Sequence, residues 1–387
     1  MGAVAGAART FRAFRKHAAW AALAAFVLAA CSSSKSEPPA ALTSIKSPLP
    51  VQVLWHMKVG DGRGIYLQPA VLSNAVFAAS SDGTLVRVDP SNGSQVWRTR
   101  APGKLGAGVG SDGFLVAVAG QRGEIYVYTA EGKLSWQSRV PSDVVTAPLV
   151  GHDLVIVRST DQGVTAFEAE TGRKRWIYKR QTPPLALRGP TELMFSGDNV
   201  IVGFPGGRLV AIALANGAAR WDSVVSEPKG ATEVERLADV LGSIGLGDNR
   251  VCAASYQGRV ACFDAGNGEQ QWAREMPAGA GVAIDGPQLF GVDEGSTVRA
   301  FALSDGSGAW SNKALAHRSL SSPGSLGRWL VVGDYRGYVH WIDSRDGQLV
   351  GRVELDSGPI VAEPRPLAGG VVVQTQRGSL ALLVPQG

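Results

Sequence analysis

The stretch Gly83-Thr-Leu-Val-Arg-Val-Asp89-Pro-Ser-Asn-Gly93-Ser-Gln-Val-Trp97 carries the pattern that determines the fold. Strand-like apolar residues follow the turn glycine Gly83, and a polar turn then closes at Gly93. Such segments between turn residues are typical of β-hairpins. A tryptophan follows the second glycine after four residues, and the whole arrangement recurs along the chain, so the stretch is one unit of a repeat.

Tryptophans mark the repeat most clearly. Seven of them recur at intervals of 38 to 51 residues: Trp55, Trp97, Trp136, Trp176, Trp221, Trp272 and Trp310. A glycine lies four residues before each of them except Trp55, and a second turn residue lies nine or ten positions before that glycine. Because such regularity reflects one packing problem solved repeatedly, we expect each indole to pack between neighbouring units.

Two further turn glycines, Gly337 and Gly378, bring the number of units to eight. The last unit lacks its final strand, whereas a lone strand-like segment at 52–59 precedes the first unit. About 40 residues per unit suffice for four short strands. We therefore predict an all-β fold, an eight-bladed β-propeller of four-stranded antiparallel blades, closed by pairing of the N- and C-terminal strands.

The N-terminus has the features of a bacterial lipoprotein signal. Four cations, at positions 9, 12, 15 and 16, precede an apolar run from Ala18 to Ala30 that is too short to span a membrane. The sequence Leu28-Ala-Ala-Cys31 resembles a lipobox, in which the cysteine is lipidated and becomes the first mature residue. The prediction is a signal peptide at 1–30, acyl chains such as palmitate on Cys31, and no other membrane contact.

The mature chain is expected to consist of a flexible lipidated tether at 31–50 and one propeller domain at 51–387. The lipobox rule for sorting implies the outer membrane, facing the periplasm, because Ser32 and not aspartate follows the cysteine. Removing the four N-terminal cations lowers the formal net charge from +5 to +1. With no basic patch in the mature part, we expect no nucleic-acid partner.

Besides Cys31, the mature chain has two cysteines, Cys252 and Cys262, on the arms of one predicted hairpin. A three-residue turn at 256–258 would place them opposite each other, where the periplasm permits a disulfide. A two-residue turn would place them on different faces of the sheet. The sequence leaves both registers open.

Motifs for catalysis are not evident. The mature chain keeps four histidines in four different units, with no metal-ligand spacing, no Gly-x-Ser-x-Gly and no phosphate-binding loop. The repeat itself resembles that of pyrroloquinoline-quinone dehydrogenases, which are eight-bladed periplasmic enzymes, so a quinone-dependent enzyme is the alternative hypothesis. Those enzymes are much longer and carry an adjacent pair of cysteines that this chain lacks. We therefore expect no enzymatic activity, no cofactor and no metal.

Function is expected where the repeat is irregular. The connector after Trp176 contains Pro183-Pro-Leu-Ala-Leu-Arg-Gly189, and the connector after Trp221 is enlarged. Because each blade has an even number of strands, both connectors should lie on one face. Thr232 and Glu235 form a capping-box pattern, and the apolar spacing through 234–241 predicts a turn or two of helix.

These connectors, the lipobox, the eight repeats and the segment 333–342 together are similar to the BamB family, lipoproteins of the outer-membrane β-barrel assembly machinery. The likeness covers essentially the whole mature chain. It implies a scaffold that binds the periplasmic POTRA domains of the pore protein BamA and assists insertion of barrel precursors, which it could also contact directly. The residues that correspond to the family's BamA contacts are Leu185, Leu187, Arg188 and Asp239. The family often has a second acid at the position of Leu241.

Overall fold

The computed structural model describes residues 37–46, 48–62, 64–181 and 183–386. These residues form 32 strands in eight four-stranded antiparallel sheets arranged as a ring, which confirms the predicted eight-bladed propeller. The predicted signal peptide and Cys31 lie outside the described residues. In the described part of the chain, no helix is long and apolar enough to cross a membrane.

The blades follow the chain in order, and each runs from an inner strand to an outer one. Blade 1 contains β2 (Ala70–Leu72), β3 (Ala75–Ala79), β4 (Thr84–Val88) and β5 (Gln95–Arg100), and blade 2 contains β6 (Leu105–Ser111), β7 (Leu115–Gly120), β8 (Glu124–Thr129) and β9 (Leu134–Arg139). Blade 3 contains β10 (Leu149–Gly151), β11 (Leu154–Arg158), β12 (Val164–Glu168) and β13 (Lys174–Tyr178). Blade 4 contains β14 (Leu193–Ser196), β15 (Asn199–Phe204), β16 (Arg208–Ala213) and β17 (Ala219–Val224). Blades 5 to 7 contain β18 (Val240–Gly247), β19 (Arg250–Ser255), β20 (Arg259–Asp264), β21 (Gln270–Glu275); β22 (Ala278–Asp285), β23 (Gln288–Asp293), β24 (Val298–Ala302), β25 (Gly308–Asn312); and β26 (Gly324–Leu326), β27 (Trp329–Gly333), β28 (Tyr338–Asp343), β29 (Leu349–Glu354). Blade 8 contains β30 (Arg365–Leu367), β31 (Gly370–Gln374), β32 (Ser379–Pro385) and, as its outer strand, β1 (Val51–Lys58).

The ring closes in blade 8, where the two ends of the domain pair. β1 runs antiparallel to β32, from Val51 opposite Pro385 to Lys58 opposite Ser379, with an irregularity between Val53 and Trp55. The predicted closure by N- and C-terminal strands is therefore confirmed. It leaves every blade with four paired strands, and the hydrogen bonds between β1 and β32 close the ring within blade 8.

The repeated tryptophans tie each blade to the next one, as expected. The indole Nε1–H of Trp55 donates to Pro90 O at 2.8 Å, in the turn between the third and fourth strands of blade 1. The other six indoles make the equivalent bond: Trp97 to Ala130, Trp136 to Ala169, Trp176 to Leu214, Trp221 to Ala265, Trp272 to Leu303 and Trp310 to Ser344. Each indole also covers the glycine of that turn, which has positive φ. The glycine that precedes a tryptophan in sequence therefore packs on the tryptophan of the previous blade.

The two faces of the disc carry different links. We call the face that holds the links from each outer strand to the next inner strand the connector face. The turns between the second and third strands, such as the one at 80–83, also lie there. The turns between third and fourth strands, such as 89–94, lie on the opposite face.

Three residues of the predicted flexible tether contact the propeller: Ala40, Leu42 and Leu49. Ala40 N–H donates to Ala316 O at 2.9 Å, and Leu49 N–H donates to Val350 O at 2.7 Å. Leu42 and Leu49 pack against two of the buried apolar clusters. This part of the predicted tether is therefore attached to the domain, because its backbone and its two leucines find partners on blades 6 and 7.

Candidate functional site

The two irregular connectors, 179–192 and 225–239, lie side by side on the connector face, as the sequence predicts. Thr191 Oγ1 donates to Val240 O at 2.7 Å, just beyond the second connector. Gly242 N–H donates to Pro190 O at 2.9 Å, and Glu192 N–H donates to Gly242 O at 3.0 Å. These bonds join the start of blade 4 to the start of blade 5, so the connectors form one continuous surface.

Asp239 holds the connectors together from below. Its carboxylate accepts hydrogen bonds from Leu187 N–H at 2.5 Å and from Gly206 N–H at 3.1 Å. Only 3% of the residue is exposed. Both carboxylate oxygens are engaged inside the protein, and a direct contact of Asp239 with a partner stays a prediction. The acid positions the backbone of Leu187.

A buried arginine that sequence reasoning missed lies near this carboxylate. Arg158 ends β11, is 7% exposed and donates from Nη2 to Gln162 Oε1 at 2.6 Å. Burial lowers the pKa of Arg158 to about 10, and the charge of Asp239 acts in the opposite direction. The available signal was an arginine at the end of the apolar run 154–157. Arg158 and Asp239 thus supply opposite charges beneath the loop of Leu187.

Leu185 and Arg188 are among the exposed residues of the first connector. Leu185 is 40% exposed and is one of nine large apolar side chains exposed in the described part of the chain. Arg188 is exposed and forms an ion pair with Asp143 in the preceding connector. Leu187 is half-buried between them. The structure therefore brings three of the four expected contact residues to the surface.

The second connector contributes a single turn where a short helix was expected. The capping box is present: Thr232 N–H donates to Glu235 Oε2 at 3.0 Å, and Glu235 N–H donates to Thr232 Oγ1 at 3.3 Å. Hydrogen bonds from the backbone of Thr232 and Ala231 lower the pKa of the Glu235 carboxyl. Of the predicted turn or two of helix, the structure contains one turn at 233–236, and it does not continue to 241 because the chain enters β18 at Val240.

This turn presents a second exposed apolar side chain that the sequence did not single out. Val234 is 59% exposed, whereas Leu237 and Ala238 of the same turn are buried. We define the docking surface as Leu185, Leu187, Arg188 and Val234. Exposed apolar residues beside an arginine are typical of protein-binding surfaces, since such surfaces desolvate readily and retain a specific polar contact.

The central channel carries its own charged cluster. Arg365 in β30 of blade 8 donates to Glu192 Oε1 at 2.5 Å, although blade 4 lies across the ring. A second carboxylate, Glu363, lies 3.6 Å from Arg365. Burial raises the pKa of Glu363 to about 7, while the charge of Arg365 opposes this effect. Arg365 and Glu192 therefore bridge the channel between opposite blades.

A cavity of about 550 Å³ opens beside the docking surface at the channel mouth. Its lining includes Arg188, Asp143, Gln121, Tyr66, Val361 and Gln376. Across the described residues, no cluster of three histidine, cysteine or acidic side chains is arranged to hold a metal ion.

Cys252 and Cys262 lie directly opposite each other on β19 and β20. The register is that of the three-residue turn, because Ala254 pairs with Val260. The structure contains a disulfide between the two cysteines, and both are fully buried. The disulfide covalently links the second and third strands of blade 5, so its role is structural.

The family model and the curated relatives that this chain matches all carry the same family name. A family model for the outer membrane protein assembly factor BamB matches residues 81–312 and 294–383. The assembly factor BamB of Burkholderia pseudomallei is 41% identical over 371 residues, which is 95% of this chain and 97% of that protein. BamB of Bordetella pertussis is 39% identical over 361 residues, 92% of this chain and 94% of that protein.

Solved structures share the fold. The crystal structure of BamB from Moraxella catarrhalis superposes with a TM-score of 0.80 at 24% identity, covering 87% of this chain and all of that one. A quinohemoprotein alcohol dehydrogenase from Comamonas testosteroni reaches a TM-score of 0.66 at 12% identity, covering 87% of this chain and 78% of that one. The curated relatives are named as assembly factors and not as enzymes, and the protein is a non-enzymatic scaffold. On the strength of these matches along nearly its whole length, the chain belongs to the BamB family of outer membrane protein assembly factors.

Proposed function

We propose that this assembly factor docks through its connector face on the POTRA domains of a BamA-like pore protein, and that it thereby assists insertion of β-barrel precursors. In this proposal Cys31 carries lipid that anchors the protein to the outer membrane, facing the periplasm. The observation that carries the docking proposal is the hydrogen bond from Leu187 N–H to Asp239, which joins the connector that exposes Leu185 and Arg188 to the connector that exposes Val234.

The docking surface is preorganised, which favours binding. Leu187 N–H is held by a buried carboxylate, and the connectors are bonded to each other through their backbones. A loop that is already ordered loses little conformational entropy when it binds a partner. The exposed leucine and valine can then contribute apolar burial, while Arg188 contributes a directional polar contact.

The ion pair between Arg188 and Asp143 determines how a substitution of Arg188 should affect folding stability and partner binding. Both side chains are partly exposed, so the pair itself contributes little to stability. Arg188 can exchange Asp143 for an acidic group of a partner at small cost. Its substitution should therefore affect binding much more than folding.

The test is capture of purified POTRA domains by the immobilised protein. Arg188→Glu reverses the charge and places two acids together, and it should abolish capture while leaving the melting temperature nearly unchanged. Leu185→Ala should weaken capture roughly tenfold or more, since a buried interface leucine contributes about 1–3 kcal/mol.

A matched control lies on the opposite face of the neighbouring blade. Arg173 is exposed and paired with Glu168 at 2.6 Å, so Arg173→Glu makes the same charge change away from the connectors. Capture by Arg173→Glu should equal that of the wild type. Capture of POTRA domains at wild-type strength by Arg188→Glu would contradict the docking surface.

A further inference from the structure

The eighth tryptophan position of the repeat is occupied by Gly351, and the structure shows what replaces the indole. In seven blades the tryptophan covers the turn before the outer strand of the next blade. Blade 8 has no such turn, because its third strand and its outer strand are the two ends of the domain. Leu49 lies there instead: its N–H donates to Val350 O at 2.7 Å, and its carbonyl would lie 3.5 Å from a Cβ atom on Gly351.

We call residues 39–46 and 48–50 the strap. It passes along blade 7, and its backbone is bonded at several points besides Leu49. Ala40 N–H donates to Ala316 O at 2.9 Å, and Arg352 donates to Thr43 O at 3.3 Å. Leu42 packs against a cluster of buried residues that spans blades 6 and 7. The strap is therefore part of the folded domain.

Arg318 fixes the start of the strap. It is 4% exposed and donates to Ala40 O at 3.0 Å and to Asp334 Oδ2 at 2.7 Å. Asp334 also contacts His340 Nε2 at 2.9 Å, and neither residue is exposed. The rings of two tyrosines lie within 6 Å of the Arg318 guanidinium. Since this cluster is buried and internally bonded, it offers the strap a rigid attachment point.

The attachment point lies on the connector face. Ala316 and Arg318 belong to the link between β25 and β26, which is equivalent to the links that carry the docking surface. The other end of the strap lies beside Val350, near the opposite end of β29. The strap therefore begins on the same face as Leu185 and Val234.

Eight Cα–Cα steps separate Cys31 from Pro39. Fully extended, eight steps reach at most about 28 Å. The nineteen steps from Cys31 to Pro50 would reach about 66 Å. By binding the strap, the propeller thus shortens the maximum reach to residue 31 by more than half.

We propose that the strap turns the connector face, and with it the docking surface, towards the lipid bilayer. This inference rests on the proposed lipidation of Cys31. A partner domain on the docking surface would then occupy the space between the propeller and the membrane. The connector face would then lie within about 30 Å of a phospholipid surface.

The first test measures proximity to lipid with the full lipidated protein in vesicles of phosphatidylethanolamine and phosphatidylglycerol that carry an acceptor dye on the headgroups. A donor dye is attached at Lys313→Cys on the connector face or at Ser304→Cys on the opposite face of the same blade; both residues are exposed. We expect at least twofold stronger energy transfer from position 313. Equal transfer, or stronger transfer from 304, would overturn the proposal.

The second variant releases the strap. Ala40→Pro removes the N–H that donates to Ala316, and Leu42→Asp removes the apolar contact. In the double variant the difference between the two dye positions should shrink, because the tether lengthens. If the double variant keeps the full difference, the strap does not orient the protein and the proposal fails.

Hydrogen exchange tests the strap independently of the lipid anchor. The amides of Ala40 and Leu49 should be protected in wild-type protein, and Leu42→Asp should raise the exchange rate of Ala40 by at least tenfold. Unprotected amides in the wild type would overturn the strap. No POTRA domain is present in these experiments, so a failure of partner docking leaves their outcome unchanged. Failure of the wild-type protein to attach to vesicles would sink the lipid anchor and, with it, this inference.

Discussion

The indole of Trp176 lies against Gly217 of the next blade. A Cβ atom on Gly217 would be 2.8 Å from Trp176 Cε3, and the indole Nε1–H donates to Leu214 O at 2.7 Å in the same turn. The buried indole thus donates a hydrogen bond to a backbone carbonyl of the turn, and it leaves no room for a side chain at position 217. This relationship explains why tryptophan and glycine repeat together.

Trp176→Ala should destabilise the fold strongly. The residue is 7% exposed and packs between blades 3 and 4, so its loss leaves a cavity and an unsatisfied carbonyl. We expect a loss of about 3–5 kcal/mol in the free energy of unfolding. Chemical denaturation followed by circular dichroism measures it. A loss below about 1 kcal/mol would show that the indole is not an inter-blade anchor.

Gly217→Ala tests the other half of the contact. Gly217 has φ of +74°, and its new Cβ would also meet the indole. The matched control is Gly197→Ala, because Gly197 has φ of +54° but nothing within 4 Å of its Cβ position. The left-handed conformation costs each alanine about 1–2 kcal/mol. Gly217→Ala should exceed Gly197→Ala by a further 1–2 kcal/mol, roughly the cost of overpacking; equal losses would contradict the packing role.

Asp239→Ala should weaken stability and partner capture together. The change leaves Leu187 N–H and Gly206 N–H without their acceptor and removes a charge near buried Arg158. We expect a loss of about 2–4 kcal/mol, a lower melting temperature and reduced capture of POTRA domains. Calorimetry and capture on the same samples measure both effects.

Exposed Glu170 provides the control for that change, because Glu170→Ala removes one acid without touching the connectors. It should leave both measurements near wild type. Loss of capture by Asp239→Ala at an unchanged melting temperature would instead support Asp239 as a direct contact residue.

The disulfide between Cys252 and Cys262 should be present in protein taken from an oxidising compartment. Peptides containing the two cysteines should remain linked in an unreduced digest analysed by mass spectrometry. The bridge closes a loop of about ten residues, and the double variant Cys252→Ala, Cys262→Ala should lose about 2–3 kcal/mol. Two thiols that alkylate separately after denaturation without reductant would refute the prediction.

The propeller could be predicted because its signal is local and repeated: the spacing from Gly93 to Trp97 recurs, so each unit supports the reading of the others. The placement of Asp239 could not be predicted, since its partner Leu187 is 52 residues away and burial depends on how two connectors meet. The second turn of helix predicted after Thr232 does not form for the same reason, because local periodicity does not show that the chain enters β18 directly after Asp239. The strap was missed because its partners lie some 270 to 310 residues further along the chain, as with Ala40 and Arg318.

Glu363→Gln should change the pH dependence of stability. Burial raises the pKa of Glu363 in the folded protein to about 7, whereas an unfolded glutamate has a pKa near 4.3. The folded state therefore holds the proton more tightly, so the contribution of Glu363 to stability falls as pH rises from about 4.5 to about 7. Glutamine does not ionise, and the variant should gain about 1–3 kcal/mol relative to wild type between pH 4.5 and pH 8. Urea unfolding at both pH values measures this gain, with the exposed Glu294→Gln as control. Parallel pH profiles for Glu363→Gln and wild type would show that Glu363 is ionised at both pH values, paired with Arg365.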